Sequence, residues 1–368
     1  MHKVNTLNLK SINYVFLSLF ILLICLLSYK TIFTELPEDF QINPFIHFPF
    51  LKVKFSQHTN NSFIFEIIKF FIQFLFLLTP IIGITLMELS QISGKIGSRF
   101  SLTSIGKIRF SEGFKGSEVW FFFLPKILFR MPFLITLISF GLNNLSDPLK
   151  NSILSIYQKF LPFPTNVNAH MAFIFMLFYV LIIDFTNFLG HWLEHKIPIF
   201  WELHEFHHAS TEMVILNQAR GIPLMTVLRT IIFLPINVFA LILFTTCINQ
   251  GFYFPIFIYF TYTMIDYIAG YVGHSSLLFL YPKPLSYVLM SPSLHWIHHS
   301  DNETHYDKNF GSIFIFWDKL FGSYLDERHI KDITCFGVKN TQYNKYHPLY
   351  SYFVLPIVKI KRRLQSVF

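Results

Sequence analysis

The chain has 368 residues, 53% of them hydrophobic and only 14% charged, with 47 phenylalanines; a soluble domain carries roughly 25% charged residues. With a mean hydropathy of +0.47, this composition excludes a disordered, nucleic-acid-coating or ordinary cytosolic protein. The net charge of +8 is read as the excess of Lys and Arg that marks cytoplasmic loops of a membrane protein.

In chain order, the first predicted element is a 19-residue uncharged run, Ser11 to Tyr29, read as a membrane anchor because no small-residue cleavage site follows it. A second run, Phe70 to Met87, has 18 residues without a charge. Between them lies an acidic loop with Glu35, Glu38 and Asp39; after the second comes a basic loop with Lys95, Arg99, Lys107, Arg109 and Lys115. A third span around Met131 to Ser146 is crowded at its start by Lys126, Arg130 and Pro132, so it either crosses or dips into the membrane and returns. Met171 to Gly190 is a fourth span, carrying Asp184. Thr230 to Ile265 gives 36 uncharged residues; as one helix they would extend ~54 Å, so Asn249-Gln250-Gly251 is expected to break them into a hairpin. The fold class expected is therefore all-α: a multi-pass transmembrane helical bundle of about six crossings with a cytoplasmic histidine-rich cap and both termini cytoplasmic. Residues 1–170 form an N-terminal membrane region of unknown role, 171–330 the histidine-bearing domain, and 331–368 a basic tail with Lys359, Lys361, Arg362 and Arg363. The three cysteines, Cys25, Cys247 and Cys335, are too scattered for a disulfide framework or a Cys-based metal site.

The 16 histidines are clustered. His191-Trp-Leu-Glu-His195 follows the fourth span, His204-Glu-Phe-His207-His208 comes next, and His295-Trp-Ile-His298-His299 repeats its HxxHH pattern. At the observed histidine frequency, chance predicts roughly 0.03 such HxxHH runs in the whole chain, and two are present. Residues i, i+3 and i+4 share a helix face, so each HxxHH aims three imidazoles at one spot. His274 ends the last span and is assigned to the same site. Asp184, seven residues before His191 on that face, is read as an acid that orients His191 or His195. His170 should not be a ligand, because a helix sets it ~31 Å from His191. His305 reads as a hydrogen-bonding residue beside the site, and His2, His47, His58, His329 and His347 as isolated surface residues.

The repeated dihistidines require at least two metal ions, and imidazole suits iron and zinc alike. A zinc metallopeptidase is the first alternative, since His204-Glu205-Phe206-His207-His208 contains HExxH and His191 to His195 matches HxxEH. It leaves the second HxxHH without a purpose. A non-catalytic protein with a structural dimetal pair is the other alternative.

These boxes, with Gly273-His274-Ser275 and the downstream Asn309-Phe310-Gly311 and Trp317-Asp318-Lys319-Leu320-Phe321-Gly322-Ser323, resemble the fatty acid hydroxylase / sterol desaturase superfamily over about residues 171–330. The resemblance implies a membrane-bound, non-haem di-iron oxidoreductase that uses O2 to hydroxylate or desaturate a lipid or sterol-like substrate. It places the metal ligands at His191, His195, His204, His207, His208, His274, His295, His298 and His299. Some relatives carry a further histidine between the second box and the hairpin; here that stretch, Val214 to Pro223, has none. No built-in reductase signature, haem loop or ferredoxin-type cysteine cluster is present, so an external donor of the ferredoxin or cytochrome b5 type, with its reductase, is expected. The cytoplasmic cap, flanked by the basic 95–115 loop and the 359–363 tail, is the expected docking surface for an acidic carrier. No nucleic-acid partner is expected.

Overall fold

The structure is a computed structural model that describes residues 81–89, 92, 101–110, 152, 155–157, 159–160, 166–252 and 254–366. The first and third spans, the acidic loop and most of the basic 95–115 loop lie outside the described residues. What is described is helical, joined by turns and two isolated β-bridges.

Helix α1 (Ala169–Lys196) is the longest element. Asn168 caps it by accepting from the Met171 backbone N–H at 2.9 Å. It ends where Pro198 forces Ile197 into extended backbone, φ −98°, ψ 116°. The helix does not stop at Gly190: it runs on through His195, so the first histidine box is its last turns. Helix α2 (Pro198–His208) restarts with that proline in its first turn and carries the second box.

Helices α3 (Pro223–Ile232) and α4 (Leu234–Asn249) meet at a 67° bend. Helix α5 (Phe254–Gly273) follows a turn in which Gly251 takes φ +83°, a backbone that favours glycine. The uncharged 230–265 run thus divides at the Asn249-Gln250-Gly251 break, as its length requires. Helix α6 (Pro292–His298) carries the third box and α7 (Phe316–Leu320) the closing signature. Helix α8 (Leu355–Gln365) ends the described chain.

Among the described residues, one helix, α1, is long and apolar enough to cross a membrane, and α3 with α4 would make a second only as a bent span. At 16 residues, α4 reaches only ~24 Å, short of a ~30 Å hydrocarbon core. The two limbs of the expected hairpin are therefore helices, but neither by itself meets the length and apolarity of a crossing.

One core lies among α1, α4 and α5 and includes Met176, Tyr179, Phe244, Met264 and Ile268. A second joins Leu203 and Phe206 of α2 to Tyr343, Tyr352 and Leu355. The C-terminal segment thus packs on the histidine-bearing helices. Lys359 Nζ pairs with Glu202 at 2.7 Å and also with Glu205; Arg363 Nε reaches Glu202 at 2.6 Å. Two of the four tail cations are engaged by these pairs, while Lys361 and Arg362 remain exposed. A third core packs Leu294, Trp296 and Ile297 of α6 on Ile315, Ile330 and Ile333.

Candidate metal centre

The histidine boxes converge at the junction of α1, α2, α5 and α6. His191 and His195 from α1, His204 and His208 from α2, and His298 from α6 form one group. His207 from α2, His274 just after α5, His295 from α6 and His299 at its C-terminal cap form a second. Within each group the ring nitrogens lie within 4.8 Å of one another. The rings of His208 and His299 stack at 4.3 Å and join the two groups. The nine residues singled out in the sequence are the nine brought together. His170 is exposed at the far end of α1 and takes no part.

The tautomers can be read from the outward nitrogens. His274 Nδ1 lies 2.7 Å from the Gly270 carbonyl, His191 Nδ1 3.0 Å from that of Phe310, and His298 Nδ1 2.8 Å from that of Lys308. A carbonyl only accepts, so each Nδ1 carries the proton and each Nε2 is a bare lone pair. His204 Nδ1 donates in the same way to Glu194 at 2.7 Å. Four lone pairs are thus aimed inward. His274 Nε2 sits 3.1 Å from the Nε2 atoms of both His295 and His299, and 3.3 Å from that of His207. His208 Nε2 is 3.1 Å from those of His195 and His204, while His191 Nε2 and His298 Nε2 are buried without a partner. Converging lone pairs repel unless a cation lies among them, and nitrogen–nitrogen separations near 3 Å match ligands on one ion with metal–nitrogen bonds of ~2.0–2.1 Å. Burial pushes the imidazoles of His207, His208, His295, His298 and His299 well below their usual range, and neighbouring imidazoles reinforce it. Neutral imidazole is the ligating form.

Three acids around the site escaped the sequence reading. Glu194, inside the first box and 3% exposed, accepts the hydrogen bond from His204 Nδ1–H and lies 3.4 Å from Arg229. Arg229 also donates to the Asn187 carbonyl at 2.8 Å. Asp307 stands 3.6 Å from His195 Nδ1 and 2.5 Å from Lys196 Nζ; these two partners hold its carboxyl down to about 2. Asp318 accepts from the backbone N–H groups of Phe310 at 2.8 Å and Gly311 at 2.7 Å, and from the Ser323 hydroxyl at 2.6 Å. That clamp aims the Phe310 carbonyl at His191. Gly311 is required there, because a Cβ would stand 2.7 Å from the Phe314 carbonyl oxygen and 2.9 Å from Asp318. In the sequence, Asp318 stands in the signature Asn-Phe-Gly…Trp-Asp and Glu194 only as the acid of the HxxEH match, while nothing marks Asp307.

Asp184 is the correction. Its carboxylate accepts from Trp317 Nε1 at 2.8 Å, the Ile313 N–H at 3.2 Å and the Tyr262 hydroxyl at 3.2 Å, and no imidazole reaches it. Seven residues along a helix is ~10.5 Å of axial rise, too far for a hydrogen bond to His191. Asp184 instead fastens the 313–317 turn to α1 and α5.

Glu205, the base an HExxH peptidase would need, is turned away: Thr341 donates to it at 2.8 Å and Lys359 pairs with it. A cavity of about 520 Å³ opens from His191, His204, His207 and His295 and runs between α1, α4 and α5 to Tyr179, Leu241 and Tyr259.

Residues 176–323 match the family model described as fatty acid hydroxylase. The chain carries a fatty acid hydroxylase domain. The hydroxylase domain begins within α1 and ends at Ser323, so it takes in all nine histidines and the closing signature. The chain is 32% identical over 182 residues to an alkylglycerol monooxygenase of Caenorhabditis elegans, covering 50% of this chain and 32% of that protein. It is 26% identical over 145 residues to an alkylglycerol monooxygenase of Homo sapiens, covering 39% and 29%, and 23% identical over 146 residues to that of Xenopus tropicalis, covering 40% and 29%. The match thus spans about a third of the length of these curated relatives. No solved structure matches the chain.

Proposed function

We propose that the hydroxylase domain is a membrane-bound, O2-dependent di-iron oxidoreductase acting on a lipid, R–H + O2 + 2e⁻ + 2H⁺ giving R–OH + H2O. The observation that carries this reading is the convergence of nine imidazoles in two joined groups, four of them with lone pairs fixed inward. Bound iron would supply the activation of O2 and the oxidation of an unactivated C–H bond. The nine histidines would hold the pair: His191, His195, His204, His208 and His298 one ion, and His207, His274, His295 and His299 the other. Glu194 and the carbonyls of Gly270, Lys308 and Phe310 keep each facing proton on Nδ1, which leaves Nε2 free to ligate. The family match favours iron over a hydrolytic or structural zinc pair, and the engagement of Glu205 by Lys359 disfavours a peptidase.

Residues 1–170 would form the membrane region, 171–330 the catalytic domain, and 331–368 a segment docked on it at the cytoplasmic side. Supporting the membrane reading, α1 bears an exposed apolar stripe of Phe173, Ile174, Leu177 and Phe178, the mark of a surface that faces lipid. The cavity would admit an alkyl chain from that side and present it to the metal-facing rings. Its wall also holds Asn187, Tyr262 and Asp266, polar groups suited to a headgroup with hydroxyls. An alkylglycerol is therefore the first substrate class to examine, and electrons would come from a ferredoxin or cytochrome b5 system.

Comparative lipidomics of cells with and without the gene tests the assignment. A lipid that accumulates in its alkyl, unoxidised form when the gene is removed is expected. An unchanged lipid profile, together with purified protein that leaves alkylglycerols untouched when given iron, O2 and a donor system, would contradict it.

A further inference from the structure

Beyond the nine-histidine centre, a second cluster gathers where two short turns meet. His305 ends the 3₁₀ turn Glu303–His305, and His329 and Asp332 lie on the 3₁₀ turn Glu327–Asp332. One ring nitrogen from each histidine and a carboxylate oxygen lie within 4.8 Å of one another. The rings of His305 and His329 are 6.1 Å apart between centroids.

A plain His–Asp hydrogen bond accounts for only part of this arrangement. His329 Nδ1 meets Asp332 Oδ2 at 3.0 Å. His305 is fully buried, and neither of its ring nitrogens has a hydrogen-bond partner. A neutral imidazole always carries one donor and one acceptor, so burying both without partners is unfavourable. A cation held by His305 together with His329 and Asp332 would satisfy the buried ring and neutralise the carboxylate.

The scaffold is fixed before any ion arrives. Asn302 accepts from the Thr304 N–H at 3.1 Å and donates through its amide to the Asp332 carbonyl at 3.2 Å, tying the two turns together. Asp326 caps the second turn by accepting from the Arg328 N–H at 2.9 Å. The Asp301 N–H donates to the Cys335 carbonyl at 3.1 Å. Two imidazoles and one carboxylate are the donor set of a borderline divalent ion with a fourth position left for water.

We propose that His305, His329 and Asp332 form a third, mononuclear metal site, selective for a borderline divalent cation such as Zn²⁺, that clamps the segment following His299 to the 327–333 turn. It shares no ligand with the nine-histidine centre and does not depend on the function proposed for that centre.

Zn²⁺ loading of the full chain in detergent, followed by desalting and elemental analysis, tests this. His329→Gln and Asp332→Asn change half-exposed residues and should fold, and each should hold about one Zn²⁺ fewer per chain than the unsubstituted protein. Zn²⁺ should also slow amide hydrogen exchange across 300–305 and 327–333 in the unsubstituted protein and not in Asp332→Asn. Equal zinc content in all three proteins, or protection by Zn²⁺ that survives Asp332→Asn, would overturn the proposal. His208→Ala removes a ligand of the other centre only. If it lowers zinc content while His329→Gln does not, the nine-histidine reading stands and this one fails.

Discussion

Replacing Glu194 by Gln leaves all nine imidazoles in place but removes the carboxylate that accepts the His204 proton. A lost partner behind a ligand typically weakens metal binding about 10–100-fold, and competitive metal titration should show a fall of that size; unchanged affinity would remove Glu194 from the centre. Asp184→Asn should behave differently. Its partners are Trp317, Ile313 and Tyr262, so metal content should hold while stability drops by about 1–3 kcal/mol, read by thermal unfolding in detergent. Loss of metal without loss of stability would restore Asp184 to the ligand-orienting role. The contrast shows what a single sequence can carry. Spacing of three and four residues fixes a helix face, so eight of the nine histidines were legible from it, while His274 rested on its place at the end of the last apolar span and on the family resemblance. Spacing does not fix who stands opposite: the partner of His204 lies on α1, across a proline break, and Asp184 is on the right face about two helical turns too far down.

The imidazoles also set a pH dependence. The buried rings of His207, His208, His295, His298 and His299 resist protonation, whereas the unfolded chain takes up protons near 6.5. The unfolded state then binds more protons below that pH, so the metal-free protein should lose stability as pH falls from about 7 to about 5.5. Thermal unfolding of chelator-stripped protein checks this; a melting temperature flat across that window would mean the rings are not buried together.

Among elements, the pairing of α8 with α2 was not legible, because basic residues at the end of a chain read as a solvated tail until acidic partners are found for them. Lys359 sits between Glu202 and Glu205, which are 5% and 8% exposed. Lys359→Met should leave one buried carboxylate without its cation and destabilise the cap by about 3 kcal/mol; an unshifted melting transition would show that α8 is not needed there. The turn at Gly251 was legible, since no single helix of 36 uncharged residues fits a bilayer. The 67° bend between α3 and α4 was not, because both limbs are apolar and the bend arises at Phe233-Leu234-Pro235, where the proline cannot continue the α3 hydrogen-bond ladder.

At the scale of the molecule, Glu88 links the 81–89 helix to the histidine centre. It is fully buried and accepts from the Ser104 N–H at 2.8 Å, the Ser275 hydroxyl at 2.6 Å and the Ser276 N–H at 3.0 Å, beside His274. The C-terminal end of the 81–89 helix and the end of α5 therefore lie at the same end of the bundle. In the proposed topology that end, with the histidines, is the cytoplasmic one. A cysteine at Thr304 should be labelled from the cytoplasmic side and one within 35–60 from the other; the reverse pattern would invert the orientation. The protein given O2, substrate and NAD(P)H alone should be inactive, and a ferredoxin or cytochrome b5 with its reductase should restore turnover. Sustained turnover without an added protein would mean that an electron route exists within the chain.

The central claim is that two joined groups of imidazoles hold a coupled iron pair. Mössbauer spectroscopy of the full chain loaded anaerobically with ⁵⁷Fe²⁺ and then oxidised tests it most directly. The account predicts a coupled diferric signal that disappears in both His208→Ala and His299→Ala, one ligand taken from each group. Isolated mononuclear iron alone, or a coupled signal that persists in both variants, would contradict it.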